Sequence, residues 1–530
     1  MSAPLPTVRE MVYELLRKQG INKIFGNPGS NEINFLKDFP EDFEYILCLH
    51  EGVAVGMADG YAQASGKASF VNLHSASGTG NAMGALTNSY NAHSPVVVTA
   101  GQQARSLVYT DPLLKNTAAS LLPMPLVKVS YEPLSPEEVP HVLSRAMHAA
   151  MAPARGPVYV SIPYDDWDKP VTSDALPLPQ RMVQYCGEAS AEVVERLGSQ
   201  LQQAKNPVLI FGPEVDQQRA NAIGAQLAEK LRAPAWVAPS APRCPFPTTH
   251  PCFAGILPAG IASLCQKLDG HDLVVVFGAP VFRYHQNDPG THLPKDCELV
   301  LVTGDYQEAA RAPVGNAIVA DVGAILKDLV RILPEKNRKK VNYNPVIQRH
   351  TVDDTVLCSE SVFDIVESLK QENTVYLNEA TSTIATLWER GGMTEPGSYY
   401  FAASGGLGFA MPAALGVKLA QPDRPVVAFV GDGSAHYNIT ALWTATHYNI
   451  PVVFIIINNK GYKALQQFVE SFKVNEIPGL KVDGVDFVSL AKGYAVEACQ
   501  VNTKREFKEA FEKALQHKGP FLIDAQVETI

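Results

Sequence analysis

The chain has 530 residues, enough for three or four domains that each bury a core of their own. Apolar residues make up 46% and charged residues 18%, an ordinary globular balance, and the formal net charge of −10 argues against a surface for nucleic acid. Eight cysteines (Cys48, Cys186, Cys244, Cys252, Cys265, Cys297, Cys358 and Cys499) include no Cys-x-x-Cys pair, which suits reduced thiols better than a disulfide framework or a zinc site.

Residues 1–20 read as an amphipathic helix of mixed charge rather than a secretion signal, and no apolar run approaches a membrane span. A cytoplasmic protein with no membrane partner is expected. Two polar, proline-bearing stretches, 169–184 and 334–350, divide the chain, giving expected domains over 1–180, 185–340 and 350–530. Each alternates short β-branched runs with helical stretches: KASFVNLH and PVVVTAG, then NPVLIFG and DLVVVFG, then NTVYLNE and PVVFIII. The expected fold class is α/β, with three doubly wound parallel-sheet domains.

In the first block, FGNPGSNE puts Ser30 on a Gly/Pro-constrained loop after a strand. Glu51 follows the apolar run YILCLH and opens EGVAVGMADGYAQA, a strand-to-helix junction among small apolar residues. Burial there favours a neutral carboxyl unless it is paired; the plainer account is a helix-start acid favoured by the macrodipole. VNLHSASGTGNAMG puts His74 at a strand end, and FGAPVFRYHQNDPG puts His285 in a loop of the middle block. Either histidine alone is more often an ordinary core or surface residue. As a dinucleotide fingerprint GTGNAM fails, because Met83 stands where the third glycine belongs, and this weighs against a nicotinamide oxidoreductase. Residues 77–83 also resemble residues 404–411, each expected to be a Gly-rich turn opening an apolar helix; chance likeness is the alternative.

In the third block the run PVVAFV leads to Gly431-Asp432-Gly433, a helix-like segment follows, and PVVFIII ends at Asn458-Asn459. The pattern sets Asp432 and Asn459 at the same end of adjacent parallel strands, where open α/β sheets bind ligands. One carboxylate and one amide oxygen suit a hard divalent cation, Mg²⁺ or Ca²⁺, that takes further oxygens from a diphosphate. A lone GDG is usually a tight turn, but with both strands and the closing NN the stretch resembles the signature of thiamine-diphosphate enzymes.

Longer segments narrow the resemblance. GNPGSNE, DGYAQAS, GTGNAMGAL, HSPVVVTAGQQ, GPVYVSIPYDDWDK, WVAPSAPRCPFPT, GAPVFRYHQ, PGSYYF, GGLGFAMPAA, GDGS and LAKGY together resemble the benzoylformate decarboxylases, thiamine-diphosphate-dependent 2-keto acid decarboxylases, over essentially the whole chain. The resemblance implies that Glu51 contacts the aminopyrimidine of thiamine diphosphate. It implies that Leu407 wedges the cofactor into its bent shape and that Asp432, Asn459 and the Gly461 carbonyl bind the metal. Thr381, Ser382, Gly405, Gly433, Ser434 and Tyr462 fall around the cofactor, and Ser30, His74 and His285 at the substrate end. Leu113, Leu114, Phe401, Ala464, Leu465 and Phe468 would form an apolar wall for an aryl ring. It further implies decarboxylation of benzoylformate to benzaldehyde and CO₂, with possible carboligation, by a homo-oligomer with the dimer as its minimal active unit.

Some residues depart from the family pattern. His436, Lys460, Gly461, Lys463, Gln466 and Gln467 surround the metal loop where the best-known members have a less basic loop with an aromatic beside Phe468, and a glycine at 461 costs little if only its carbonyl is used. Residues 118–124 lack the polar groups of an additional metal site found in some members, and Ile384 and Ala402 bear on the substrate pocket. The rivals are a carboligase of the same superfamily, such as acetolactate synthase or benzaldehyde lyase, and a non-catalytic homologue. Ser30 with both histidines favours decarboxylation, and Glu51, Asp432 and Asn459 together argue against a catalytically idle chain.

Overall fold

The computed structural model describes residues 4–336, 341–345, 356–475 and 477–528. Among the described residues eighteen strands form three six-stranded parallel sheets, each flanked by helices. The first contains β1 (Lys23–Gly26), β2 (Glu44–Leu47), β3 (Ser69–Leu73), β4 (Val96–Gln102), β5 (Ser130–Tyr131) and β6 (Val158–Pro163), in the order β2-β1-β3-β4-β6-β5. The second contains β7 (Pro207–Phe211), β8 (Ala235–Val237), β9 (Phe253–Ile256), β10 (Leu273–Phe277), β11 (Glu298–Thr303) and β12 (Asn316–Val319), in the order β12-β11-β10-β7-β8-β9. The third contains β13 (Val375–Glu379), β14 (Tyr399–Phe401), β15 (Val426–Gly431), β16 (Val453–Asn458), β17 (Glu497–Val501) and β18 (Phe521–Gln526), in the order β14-β13-β15-β16-β18-β17. The expected α/β class with three doubly wound sheets is what the chain adopts. Central strands such as β4 and β10 are buried along their whole length, which is why they read as continuous apolar runs rather than alternating ones.

The chain gathers into two compact units, one of 1–184, 402–501 and 513–525, the other of 185–401, 502–512 and 526–530. In the first unit the amphipathic segment near the amino terminus is the Val8–Lys18 helix. A reciprocal cap opens it: the Thr7 hydroxyl accepts from the Glu10 N–H at 3.3 Å and the Glu10 carboxylate accepts from the Thr7 N–H at 2.7 Å. Its inner face, Val8, Met11, Val12, Leu15 and Leu16, joins the core that also holds Phe35, Phe70 and Trp167.

Small residues on the Glu51–Ser65 helix have a packing cause. This helix lies on the Ala410–Ala420 helix so closely that a Cβ on Gly60 would stand 2.2 Å from the Ala413 carbonyl oxygen, and one on Gly416 would stand 1.9 Å from that of Met57. Residues 77–83 do not form the expected turn. They lie inside the Ser75–Asn91 helix, whereas 404–408 is an irregular loop with Gly405 and Gly408 at φ +76° and +99°. The two segments therefore differ in conformation, and the likeness between them is one of composition.

The polar stretch at 169–184 carries two short 3₁₀ turns, Ser173–Ala175 and Leu178–Gln180. Of the stretch at 334–350, residues 337–340 and 346–350 lie outside the described residues. Among the described residues no helix is long and apolar enough to cross a membrane.

Candidate active site

Parallel strands deliver their carboxyl ends, and the loops after them, to one edge of a sheet. In the first sheet β1 and β3 are neighbours, so the loop after Gly26 and the residue after Leu73 meet there. His74, directly after β3, has Nδ1 2.8 Å from Glu32 Oε2. Glu32 is buried and also accepts from the backbone N–H groups of Gly29 at 2.8 Å and Gly101 at 3.1 Å. Burial pushes its carboxyl up, and His74 with the two N–H groups pulls the other way. A carboxylate only accepts, so His74 presents Nδ1–H to Glu32 and leaves Nε2 to exchange protons. Gly29 has no room for a side chain: a Cβ would lie 2.1 Å from His74 Nδ1. Ser75 follows at φ +46°, a strained backbone directly after His74. Ser30 opens the adjoining 3₁₀ turn, Ser30–Glu32, and is exposed.

Glu51 stands at the first position of its helix, 7% exposed. Asn27 Nδ2 donates to Oε1 at 3.2 Å and Asn81 Nδ2 to Oε2 at 2.9 Å. Both partners are neutral amides. The loop at 27–32 thus serves two side chains, Asn27 holding Glu51 while Gly29 and Glu32 shape the surroundings of His74. Gly78 matters here too, since a Cβ would come within 3.3 Å of Glu51 Cγ.

In the third sheet β15 and β16 pair in parallel with Gly431 opposite Ile457, which brings Asp432 and the Asn458-Asn459 pair to one edge. Asp432 is 2% exposed; Oδ1 accepts from the Gly433 N–H and Oδ2 from the Gly461 N–H, both at 2.8 Å. Burial pushes its carboxyl up, offset in part by these N–H groups. The two asparagines divide their roles: Asn458 Nδ2 bonds Asp524 Oδ1 at 2.9 Å, while Asn459 Oδ1 is buried with no hydrogen-bond partner among the described residues. An unpaired buried amide oxygen beside a buried carboxylate fits an oxygen-seeking divalent cation.

The backbone at Gly461 is closely confined. Residues 460–462 run back along 480–482, with Tyr462 N–H to the Leu480 carbonyl at 2.9 Å and Val482 N–H to the Lys460 carbonyl at 3.0 Å, and a Cβ on Gly461 would lie 2.5 Å from the Leu480 oxygen. Tyr462 lies against Gly433, where a Cβ would stand 2.4 Å from the ring, and Ser434 is buried beside them. Half-buried Leu407 sits in the loop at 404–408, which Asn88 fastens by donating to the Gly406 carbonyl at 2.9 Å and accepting from the Ser404 N–H at 3.1 Å. No side chain or backbone lies within 4 Å of the Cβ position of Gly405, so a ligand has room to approach that backbone.

The expected apolar wall is not enclosed within this chain. Leu113 is 88% exposed and Leu465 45%, and the Lys463–Ser471 helix that also carries Ala464 and Phe468 buries no residue. Leu114 adopts φ +64°. Four expected site residues belong to the second unit. His285 follows β10 in a loop where its N–H donates to the Ala259 carbonyl at 2.8 Å; Thr381 and Ser382 form the 3₁₀ turn after β13; Phe401 ends β14. Asn27, Glu32 and Asn81 were not foreseen. Glu32 alone left a local trace, an acid three residues beyond Gly29 that caps its N–H.

Three profiles of one enzyme group match the chain: the thiamine pyrophosphate enzyme amino-terminal TPP-binding domain over 6–120, the central domain over 194–329 and the carboxy-terminal TPP-binding domain over 381–525. Benzoylformate decarboxylase of Pseudomonas aeruginosa is 51% identical over 99% of this chain and 100% of its own length. The chain belongs to the benzoylformate decarboxylase family of thiamine-diphosphate enzymes. It is an enzyme, a carboxy-lyase dependent on thiamine diphosphate. The solved 4-hydroxybenzoylformate decarboxylase of Rhodococcus jostii RHA1 superimposes with a TM-score of 0.97 at 50% identity, covering 99% of this chain and 100% of that one. Benzoylformate decarboxylase of Polynucleobacter necessarius follows at 0.95 and 36%, covering 99% of each. Acetolactate synthase of Arthrospira platensis is far more distant, 26% identical over 97% of this chain and 93% of its own.

Proposed function

We propose that the chain decarboxylates an aromatic 2-keto acid, benzoylformate or a ring-substituted relative, to the aldehyde and CO₂. The observation that carries this is similarity at 50% identity or above, over whole chains, to two decarboxylases of such acids, against 26% for an acetolactate synthase. Bound thiamine diphosphate supplies the electron sink that a 2-keto acid lacks when CO₂ departs. Glu51, held by neutral amides, would hydrogen-bond the aminopyrimidine. Asp432, Asn459 and the Gly461 carbonyl would hold Mg²⁺ or Ca²⁺ with the diphosphate, among Thr381, Ser382, Gly405, Gly433, Ser434 and Tyr462, with Leu407 beneath the bend. His74 Nε2 would give a proton to the charge developing on the keto oxygen, Ser30 would orient the carboxylate, His285 would supply the proton that replaces CO₂ at the carbon, and His74 would take back the oxygen's proton as the aldehyde leaves.

Leu113, Leu114, Phe401, Ala464, Leu465 and Phe468 are proposed as the ring's apolar wall. Exposure of Leu113 and Leu465 in the single chain supports completion of the site by a second copy. The wider proposal is a cytoplasmic homodimer or homotetramer serving aromatic breakdown of the mandelate type, with domains over 1–180, 185–340 and 350–530. A panel of aryl and alkyl 2-keto acids, assayed with thiamine diphosphate and Mg²⁺, tests the substrate class; better turnover of pyruvate than of benzoylformate would overturn it. Mixing Glu51→Gln and Asp432→Ala chains under subunit exchange should restore activity if sites are shared, and a fully active monomer by light scattering would refute sharing.

A further inference from the structure

Gln102 ends β4 and is 1% exposed, yet every hydrogen-bonding position of its amide is used. Oε1 accepts from the N–H groups of Gln103 and Asn116, each at 2.9 Å; Nε2 donates to the Asn116 carbonyl at 2.9 Å and to Glu132 Oε1 at 3.0 Å. Asn116 is itself 4% exposed and reaches the Tyr159 hydroxyl at 3.5 Å. The neighbouring Gln103 donates its Nε2 to the Leu113 carbonyl. Two consecutive side chains at a strand end therefore grip one loop at residues 113 and 116.

Between those grips stands Leu114 at φ +64°, with Asp111 at φ +52° just before them. A left-handed backbone is costly for a leucine and persists only where its surroundings fix it. Leu113 is 88% and Leu114 43% exposed, and the hydrogen bonds from the two glutamines tie the loop to the end of β4 on either side of Leu114.

We infer that Gln102 and Gln103 are positioning residues that hold Leu113 and Leu114 in the one conformation that selects an aryl over an alkyl 2-keto acid. This rests on the proposal that the two leucines line the substrate wall. The test is Gln103→Ala in the cofactor-loaded enzyme, since Gln102 is buried and its loss threatens folding. The kcat/KM for benzoylformate should fall about tenfold more than that for pyruvate, chiefly through KM. Protease nicking within 104–124 should quicken while the affinity for thiamine diphosphate stays unchanged. In a Leu113→Ala/Leu114→Ala background Gln103→Ala should cost no further selectivity, because both act through the same contact. Equal losses for both substrates, or a fully additive loss in that background, overturn the inference. A wild type without aryl preference overturns the substrate wall itself, whereas preference and nicking both unchanged in Gln103→Ala overturn only the tether.

Discussion

Gly461→Ala should weaken metal binding without abolishing catalysis, and the size of the effect follows from one contact. The added Cβ would lie 2.5 Å from the Leu480 carbonyl oxygen, against the 3.4 Å at which ordinary contact begins, so the two segments must part by 0.9 Å. Both sides are backbone, tied by the Tyr462–Leu480 and Val482–Lys460 hydrogen bonds, so no flexible side chain can absorb the shift. If residues 460–462 move by that amount, the 2.8 Å bond from Gly461 N–H to Asp432 stretches beyond hydrogen-bonding range, and Asn459 shifts with its neighbours. Losing support of this kind around a metal ligand typically costs about 10- to 100-fold in affinity, or roughly 1.4–2.8 kcal/mol. Titrating Mg²⁺ at fixed thiamine diphosphate, followed by tryptophan fluorescence and by activity, should show half-saturation displaced by that factor, with most of kcat recovered at high Mg²⁺. A titration curve identical to the wild type's would refute the reasoning, since it would mean that the 460–462 backbone does not set the ligand positions.

Glu51→Gln should cut turnover by orders of magnitude while calorimetry still finds thiamine diphosphate bound; near-normal turnover would remove Glu51 from cofactor activation. Glu32→Gln leaves one oxygen for three donors, Gly29 N–H, Gly101 N–H and His74, so kcat should drop about 10²- to 10⁴-fold and the pH–rate profile should change shape. A loss in thermal stability alone, with the profile unmoved, would make Glu32 merely structural. In the second unit burial pushes the Glu214 carboxyl from 4.5 up to about 7, and it accepts from the Thr303 hydroxyl and the Gly304 N–H. A raised folded-state pKa makes this contribution full below pH 4.5 and lost as pH climbs through 7. Protection factors across 298–312, corrected for the intrinsic pH dependence of amide exchange, should therefore fall between those values in the wild type but not in Glu214→Gln, whose amide can accept from Gly304 and donate to Thr303; equal pH dependence of protection in both would contradict it.

Much of the architecture was legible because parallel strands buried on both faces leave apolar runs, and the interruptions at Gly431-Asp432-Gly433 and Asn458-Asn459 mark strand ends. The pairing register then carries Asp432 and Asn459 to one edge, as the spacing implied. What the sequence hid is long-range. Asn27 and Asn81 reach Glu51 from 24 and 30 residues away, and Glu32 reaches His74 across 42, so no local pattern marks them. Gly78 looked like a turn residue because glycine has several uses; here it sits within a helix and makes room for Glu51. The close fit at Gly461 was hidden too, because the atom that leaves no room for a side chain belongs to Leu480, farther along the chain.

The most direct test of the account is the stoichiometry of benzoylformate turnover by the purified chain, stripped of cofactor and then given thiamine diphosphate and Mg²⁺ together or singly. The account predicts one benzaldehyde per CO₂ released, only when both are supplied, at a kcat/KM on the order of 10-fold or more above that for pyruvate, as roughly 2 kcal/mol of ring burial requires. Turnover without thiamine diphosphate, or CO₂ release accompanied by a carbon–carbon ligation product in place of the aldehyde, would contradict it.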